Sequence, residues 1–437
     1  MNERQVYEYL EGLQTKGIVP GLESIRNLLK RLDDPQKKLK FIHVAGTNGK
    51  GSVCAYLSGA LKCGGYRVGR YLSPTIFEYR ERIQVNDRMI TKEALRRLLG
   101  KIKAVCEEMV GEGLPHPTAF EVETALGFLY FCEKNCDIVV LETGMGGALD
   151  ATNIVENTVL CVFASISRDH MQFLGNSLEE IAAQKAGILK PGAAAVSAPQ
   201  PESVRLVLQE RADHLHLPIT FVDPDLIRDR KYGLEKQRFS YQNYKRIEIT
   251  LAGKYQLENA ALALEAMNAL AKRGFAVSEE NLRKGFRETK WPGRFTVVQK
   301  HPLFIVDGAH NEDAAKRLAE SIEFYFTNKR IIYIMGVLRD KEYEKIIELT
   351  AKYAESVITV TTPNNPRALP AYELACAVSG VCPNVTAVDS LEEAVEMSRL
   401  LAGKDDCIIA FGSLSFLGQL MDLLHYRRKD PQTKNRM

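Results

Sequence analysis

Short apolar runs alternate with longer segments of helical spacing through the first part of the chain. The runs are almost unbroken, as expected for strands of a parallel sheet covered by helices on both faces, and they lie at 39–45, 137–141 and 158–163. Apolar residues at helical spacing lie at 53–61, 91–110 and 120–132. The pattern therefore predicts a mainly parallel sheet in the N-terminal part.

Beyond residue 295 the alternation continues at closer spacing. Strands are predicted at 303–306, 330–337, 356–361, 385–388 and 407–411, and helices at 312–325, 341–354, 370–379 and 391–402. Such alternation is typical of a doubly wound sheet. The sequence thus predicts the α/β class, with one domain over 1–295 and a smaller Rossmann-like domain over 296–437.

Two segments between these regions carry local signals. Ser177-Leu178-Glu179-Glu180 has the spacing of a capping box, so we expect a helix to begin there and to end at Lys190-Pro191-Gly192. The segment 218–250 is more polar and strand-like, which predicts an antiparallel edge.

Composition excludes several classes of protein. The chain has 437 residues, with 58 basic and 55 acidic side chains, so it lacks the basic excess of a nucleic-acid-binding surface. The short basic tail, Arg427-Arg428-Lys429, is interpreted as a solvated end. A secretory signal and a membrane span are not visible, and nine scattered cysteines are typical of a reduced, cytoplasmic protein.

The strongest chemical signal is a glycine-rich loop between the first predicted strand and the following helix. Gly46-Thr47-Asn48-Gly49-Lys50-Gly51-Ser52 departs from G-x-x-x-x-G-K-[ST], because Val44 occupies the first glycine position and Ser52 comes one residue late. A glycine-rich turn with an incidental lysine is the alternative. The strand–loop–helix order favours a P-loop-type nucleotide site, with Lys50 reaching the phosphates.

The segment His43–Ser52 resembles the nucleotide loop of folylpolyglutamate synthases and dihydrofolate synthases, which belong to the Mur ligase superfamily. Further matching blocks follow in the family's order from about 41 to 418. The resemblance implies that 1–295 is a Mur-ligase-like ATP-binding domain and 296–437 a glutamate ligase domain. It also implies that residues Thr47, Asn48, Gly49, Lys50, Gly51 and Ser52 bind ATP, with Lys50 also catalytic.

A magnesium site follows from the same resemblance. Glu142 and His170 each follow a buried predicted strand, and Ser73 lies in Tyr71-Leu72-Ser73-Pro74. From the residues alone, Glu142 could be a cap or turn acid, His170 a structural histidine and Ser73 a loop hydroxyl. In the family the matching residues, together with Ser52, approach Mg²⁺.

Other blocks match residues that contact the nucleotide or act in catalysis. Lys185 resembles a carbamylated family lysine, although a surface helix lysine is the local alternative and Gln184 replaces the usual glutamate. The remaining matches are to Asn259, Arg294, Asp307 and His310, which the resemblance assigns to the nucleotide, with His310 and Lys185 also catalytic.

The acceptor substrate is assigned by resemblance alone. Thr118, Phe120, Glu121 and Asp150 match pteridine-contact positions, although locally they are only a helix start and a turn. Departures from the family pattern lie nearby and beyond, at Ala148, Arg168 and Ser415.

The implied reaction is ATP-dependent ligation of L-glutamate to a folate through an acyl phosphate, with dihydropteroate as a second candidate acceptor. The protein is expected to be a monomer that uses ATP and Mg²⁺. Two rivals stay open at this point: a Mur-type ligase acting on a cell-wall nucleotide, and a nucleotide-dependent regulatory protein without ligase activity.

Overall fold

The computed structural model describes residues 1–14, 17 and 19–426, so the basic tail at 427–429 lies outside the described residues. The helices are α1 (Glu3–Gln14), α2 (Glu23–Arg31), α3 (Lys50–Cys63), α4 (Lys92–Gly111), α5 (Ala119–Glu133), α6 (Met171–Leu174), α7 (Leu178–Ala186), α8 (Glu202–His214), α9 (Gln256–Ala271), α10 (Glu279–Glu288), α11 (Glu312–Tyr325), α12 (Tyr343–Thr350), α13 (Ala371–Ser379), α14 (Leu391–Leu401) and α15 (Leu414–Leu423). The strands are β1 (Phe41–Ala45), β2 (Val68–Tyr71), β3 (Ile83–Val85), β4 (Arg88–Met89), β5 (Ile138–Glu142), β6 (Thr158–Phe163), β7 (Ala194–Ser197), β8 (Ile219–Phe221), β9 (Ile227–Lys231), β10 (Gln237–Tyr241), β11 (Tyr244–Ile249), β12 (Thr296–Lys300), β13 (Leu303–Val306), β14 (Ile331–Met335), β15 (Ser356–Val360), β16 (Val385–Val388) and β17 (Cys407–Phe411).

The described residues form two compact units. Unit 1 consists of Met1–Arg228, Tyr241–Ile247 and Glu258–Thr289, and unit 2 of Asp229–Ser240, Glu248–Leu257 and the residues from Lys290 onward. The chain passes between them more than once.

The large sheet of unit 1 has the order β4-β3-β2-β5-β1-β6-β7-β8 within the described chain. Six neighbouring strands are parallel, in the order β2, β5, β1, β6, β7 and β8. The β3–β4 hairpin adds an antiparallel edge next to β2. The strands β1 and β5 are buried along their whole length, which explains their unbroken apolar sequence. The predicted mainly parallel sheet is confirmed.

The register of the central strands brings three loops to one edge of this sheet. Val44 pairs with Glu142, and Ala45 pairs with Phe163. The loops that follow β1, β5 and β6 therefore begin side by side at the carboxyl ends of parallel strands, where open α/β sheets bind ligands.

The sheet of unit 2 has the order β12-β13-β17-β14-β15-β16 in the described residues. It is parallel except for β12, which pairs antiparallel with β13. The alternation predicted beyond residue 295 is confirmed, and the α/β class with it. The predicted strands at 303–306, 385–388 and 407–411 match the observed bounds.

Two local predictions were wrong in part. The helix after Ser177 begins with the predicted capping box but ends at Ala186 instead of Lys190, because Gly187 packs directly on Ala148. In the polar segment, β8 pairs parallel with β7, while β9, β10 and β11 form a separate sheet instead of an antiparallel edge.

Candidate active site

The glycine-rich loop lies between β1 and α3, as the strand–loop–helix pattern predicts. Gly49 caps α3 with φ of +89°, a left-handed conformation that favours glycine. A Cβ at this position would lie 2.6 Å from Asn259 Oδ1, so the Asn259 side chain packs against the loop. The first-turn N–H groups of α3 have no intrahelical acceptor, and they make this end of the helix attractive to anions.

The loop is fastened to the segment after β6. Thr47 N and Asn48 N both donate to Ser165 O, at 2.7 and 3.2 Å. The Thr47 hydroxyl donates to Ser167 O at 2.9 Å and accepts from Ser167 N at 3.1 Å. The Thr47 side chain thus holds the loop in its conformation.

Two lysines converge on one carbonyl of this loop. Lys50 Nζ donates to Gly46 O at 3.2 Å, and Lys185 Nζ donates to the same oxygen at 2.9 Å. Lys185 is only 3% exposed, and burial, followed by the positive charge of Lys50, lowers its pKa to about 7. Lys50 therefore places a positive charge beside the amino end of α3, where anions are favoured, and Lys185 is a buried amine next to it.

Close packing of two loops buries Lys185. A Cβ at Gly187 would lie 2.4 Å from Ala148 Cβ, and Ala148 N donates to Gln184 O at 2.7 Å. Asn153 Nδ2 then bonds both the Ala148 and the Gly187 carbonyls, at 3.0 and 3.1 Å. The loop after β5 and the end of α7 are therefore locked together around the lysine. The alternative of a surface lysine is excluded.

Two of the four predicted metal ligands, Ser73 and Glu142, are in direct contact. Ser73 N donates to Glu142 Oε2 at 3.3 Å, and Glu142 is 4% exposed. The Glu142 charge also adds to burial in raising the pKa of Cys54 in α3, and Ser52 in the first turn of that helix is buried.

The fourth predicted ligand has a different environment. His170 begins α6 with φ of +52°, its side chain is 41% exposed, and its Nε2 lies 3.9 Å from Asp169 Oδ1. Among the residues that the structure describes, no group of three or more His, Cys, Asp and Glu side chains is arranged to hold a metal ion.

Thr118 and Glu121 form the capping box of α5. Glu121 N donates to Thr118 Oγ1 at 3.4 Å, while Thr118 N and Thr118 Oγ1 donate to Glu121 Oε2 at 2.7 and 2.8 Å. The Phe120 ring lies edge-on to Tyr71, with centroids 6.0 Å apart. The capping box fixes the first turn of α5 and with it the position of Phe120. The hydroxyl of Thr118 donates its proton to Glu121 within this box.

Asp150 is a buried carboxylate with several donors. Met145 N donates to Oδ2 at 2.8 Å, and Thr152 donates to Oδ1 from its N and its Oγ1. Burial raises the pKa of Asp150, and these hydrogen bonds oppose that shift. Behind Thr152 lies His43 of β1, at 2.9 Å from Nε2 to Oγ1.

In unit 2, Asp307 organises the loop after β13. Its carboxylate accepts from Phe295 N at 2.7 Å, Tyr255 Oη at 3.0 Å and Ala309 N at 2.9 Å. Burial raises its pKa, while the positive charge of Arg294 lowers it.

Arg294 and His310 flank the same loop. A Cβ at Gly308 would lie 2.0 Å from Arg294 Nη1, so only glycine leaves room for the guanidinium. His310 Nδ1 donates to Gly308 O at 2.7 Å. Unit 2 thus brings Arg294, Asp307 and His310 together.

The sequence interpretation did not include several polar residues of these networks. They are His43, Thr152, Asn153 and Tyr255. A histidine inside an apolar strand was the one local signal, because a buried polar group needs a partner.

Two further observations concern the whole described chain. None of its helices is long and apolar enough to cross a membrane. All nine cysteines lie in the described part, and none is in a disulfide.

Comparison with known proteins agrees with this geometry. Residues 44–267 match the family described as the Mur ligase middle domain, and residues 293–414 match the Mur ligase, glutamate ligase domain. The Bacillus subtilis dihydrofolate synthase/folylpolyglutamate synthase is 36% identical over 94% of this chain and 96% of its own length.

Solved structures extend the similarity to the fold. Mycobacterium tuberculosis folylpolyglutamate synthase complexed with ADP and AMPPCP has a TM-score of 0.89 at 28% identity, covering 99% of this chain and 100% of that one. Escherichia coli FolC in complex with DHPP and ADP has a TM-score of 0.86 at 29% identity, covering 98% and 99% of the two chains.

Fold, loop and family matches together define a Mur-type ligase. The chain belongs to the folylpolyglutamate synthase/dihydrofolate synthase family. Enzymes of this family join L-glutamate to folates in an ATP-dependent ligation. This family differs from both alternatives that the sequence left open, the cell-wall ligase and the regulatory protein without ligase activity.

Proposed function

We propose that this chain binds ATP at the β1–α3 loop and ligates L-glutamate to a folate carboxylate, with dihydropteroate as a second acceptor. The ammonium of Lys50, held at the Gly46 carbonyl beside the amino end of α3, supports this proposal most strongly. It places positive charge where a triphosphate would meet the amino end of α3.

The chemistry requires two anions to approach each other. The acceptor carboxylate attacks the γ-phosphate of ATP, giving an acyl phosphate and ADP. The glutamate amine then displaces phosphate and forms the amide. Lys50 would neutralise charge on the phosphoryl oxygens as they transfer, which is the main demand of phosphoryl transfer. Gly49, Gly51 and Asn259 would define the nucleotide contact around it.

The donor set fits magnesium. Mg²⁺ prefers oxygen ligands and keeps several waters beside one or two carboxylates and substrate phosphates. Glu142, Ser73 and Ser52 offer one carboxylate and two hydroxyls, and the backbone N–H of Ser73 donates to Glu142. These residues would hold Mg²⁺, which would neutralise phosphate charge when bound. His170 is included from the family resemblance.

Lys185 is proposed to carry a carbamate. Carbamylation needs a neutral amine, and a pKa of about 7 supplies one near physiological pH. The product is an anion, so the repulsion between Lys185 and Lys50 becomes an attraction. The lysine would then support catalysis as a carboxylate-like group.

We propose that the acceptor binds at Phe120 and Asp150, beside the loop that follows β5. Phe120 offers an aromatic face, and Asp150 a buried carboxylate that can accept from N–H groups of a pteridine. Thr118 and Glu121 would act chiefly through the first turn of α5, which they cap.

For the C-terminal part we propose that Arg294, Asp307 and His310 contact the nucleotide, with His310 acting in catalysis. Residues 1–295 would be the ATP-binding domain and 296–437 the glutamate ligase domain. We place the reaction in the cytoplasm, with a monomeric enzyme; the free cysteines support a reducing compartment.

The decisive test of the ATP assignment is Lys50→Ala. We expect glutamate-dependent ADP release with tetrahydrofolate to fall by about a hundredfold or more, because a charge that stabilises the transition state is lost. Lys38→Ala removes an exposed lysine before β1 and should leave the rate unchanged. Full ADP release by Lys50→Ala would overturn the proposal.

A further inference from the structure

The histidine of β1 takes no part in the ligation proposed above. His43 is fully buried, and its Nε2 lies 2.9 Å from Thr152 Oγ1. Its Nδ1 has no hydrogen-bond partner among the described residues. Burying an imidazole with one nitrogen unpartnered is unfavourable, so the single contact that it makes calls for a reason.

Thr152 joins His43 to Asp150. Thr152 Oγ1 lies 2.5 Å from Asp150 Oδ1, and Thr152 N donates to the same oxygen at 3.0 Å. Thr152 is itself fully buried, and Asp150 is 7% exposed. The three residues therefore form a continuous polar chain from the centre of the sheet to the loop after β5.

The number of protons available fixes the donor and the acceptor of each hydrogen bond between His43, Thr152 and Asp150. Burial lowers the pKa of His43 to about 3, so the ring is neutral and has one N–H. An ionised Asp150 can only accept, so the Thr152 hydroxyl donates to it and accepts from His43 Nε2–H. The opposite direction would protonate Asp150 and leave the His43 Nδ1–H as a buried donor without a partner, which is the costlier arrangement.

We infer that His43 is a positioning residue for the acceptor substrate: acting through Thr152, its N–H holds the Asp150 carboxylate as an oriented anion. Such an anion selects a ligand edge that carries N–H donors, as a 2-amino-4-oxopteridine does. This inference rests on the proposed role of Asp150 in binding the acceptor.

Substitution by glutamine or by asparagine distinguishes the two ring nitrogens of His43, because each amide can replace only one of them. The glutamine Nε2 is the same number of bonds from Cβ as the histidine Nε2, whereas the asparagine Nδ2 corresponds to Nδ1. His43→Gln therefore keeps the donor to Thr152, and His43→Asn withdraws it. If the His43 variants do not fold, Thr152→Ser and Thr152→Val make the same comparison, since serine keeps the hydroxyl and valine removes it.

The measurement is the steady-state KM for tetrahydrofolate and for dihydropteroate, beside the KM for ATP and the thermal midpoint. We expect His43→Asn and Thr152→Val to raise the acceptor KM by roughly tenfold with the ATP KM unchanged, since the first loses the hydrogen bond to Thr152 and the second the charge-assisted hydrogen bond to Asp150. His43→Gln and Thr152→Ser should stay within about twofold of the wild type.

The contrary outcomes are distinct. Equal acceptor KM values for the Gln and Asn variants, and for the Ser and Val variants, would overturn the inference. So would a parallel rise of every KM with a lowered thermal midpoint, which is the mark of a merely structural role. Asp150→Asn is measured alongside: if it raises the acceptor KM and the other variants do not, only the role of His43 fails. An unchanged KM in Asp150→Asn would instead refute the proposed acceptor site.

Discussion

Lys185 and Lys50 share one carbonyl oxygen, and this contact sets the electrostatics of the proposed site at the scale of single residues. The buried ammonium of Lys185 is opposed by desolvation and by the charge of Lys50, while the carboxylates of Asp169 and Asp150 favour it. The balance leaves a pKa of about 7. An amine in this state is poised to lose its charge, and it can react as a nucleophile.

The pH dependence of carbamylation follows from the sign of this shift. Above pH 7 the Lys185 amine is mainly neutral and combines with CO₂; as the pH falls through 7 it protonates, and the carbamate should be lost. Carbon NMR with labelled bicarbonate should show a carbamate signal at pH 8 that disappears by about pH 6. Lys185→Arg should abolish the signal, and Lys190→Arg should retain it. A signal that persists in Lys185→Arg would contradict the assignment.

Tyr255 is a second residue whose contact invites a test. Its hydroxyl donates to Asp307 Oδ2, so Tyr255→Phe leaves Asp307 with only its backbone donors. We expect the KM for ATP to rise about fivefold, the effect of one hydrogen bond worth about 1 kcal/mol. Tyr325→Phe is the matched control, because its hydroxyl donates to the neutral Gln237. Equal ATP KM values in the two variants would exclude a role for the Tyr255–Asp307 hydrogen bond in nucleotide binding.

At the scale of elements, the β1–α3 junction depends on a left-handed residue. Gly49→Ala introduces strain of about 1 kcal/mol and also drives a Cβ onto Asn259. Gly65 has a similar φ of +91°, but a Cβ there meets nothing within 4 Å. Gly65→Ala should therefore show the strain alone.

The two alanine variants separate strain from contact. Both should lower the thermal midpoint by a few degrees, but only Gly49→Ala should raise the KM for ATP, by about tenfold or more, with little change for the acceptor. Steady-state kinetics with each substrate varied in turn provides the measurement. An unaltered ATP KM in Gly49→Ala would mean that the contact with Asn259 has no part in nucleotide binding.

Elements were predictable where burial left a simple pattern. The strand β6 and the helix α11 have the predicted bounds, because continuous apolar runs and amphipathic spacing each point to one element. The strands β2 and β7 were not predicted: Val68–Tyr71 contains Gly69 and Arg70, and Ala194–Ser197 is short and alanine-rich. The end of α7 was misplaced because it is set by contact with Ala148, a tertiary effect.

For the molecule as a whole, the sequence led to the correct family because motifs keep their order along the chain. Local spacing predicted the loop around Lys50, and the resemblance supplied the roles proposed for Glu142 and Lys185. The contacts of His43 with Thr152, and of Tyr255 with Asp307, join residues that are distant in sequence. Periodicity and motif spacing carry no information about such pairs, so only the folded chain reveals them.

The most direct test of the central claim is mass spectrometry of the products of ATP and L-glutamate with tetrahydrofolate and, in parallel, with dihydropteroate. We predict an added glutamyl residue on tetrahydrofolate, on dihydropteroate or on both, with one ADP released for each amide formed and ADP release lower by about a hundredfold or more with Lys50→Ala. UDP-sugar peptides, the acceptors of a cell-wall ligase, should give no product. Absence of any glutamylated pteroyl product under saturating ATP and glutamate would contradict the account.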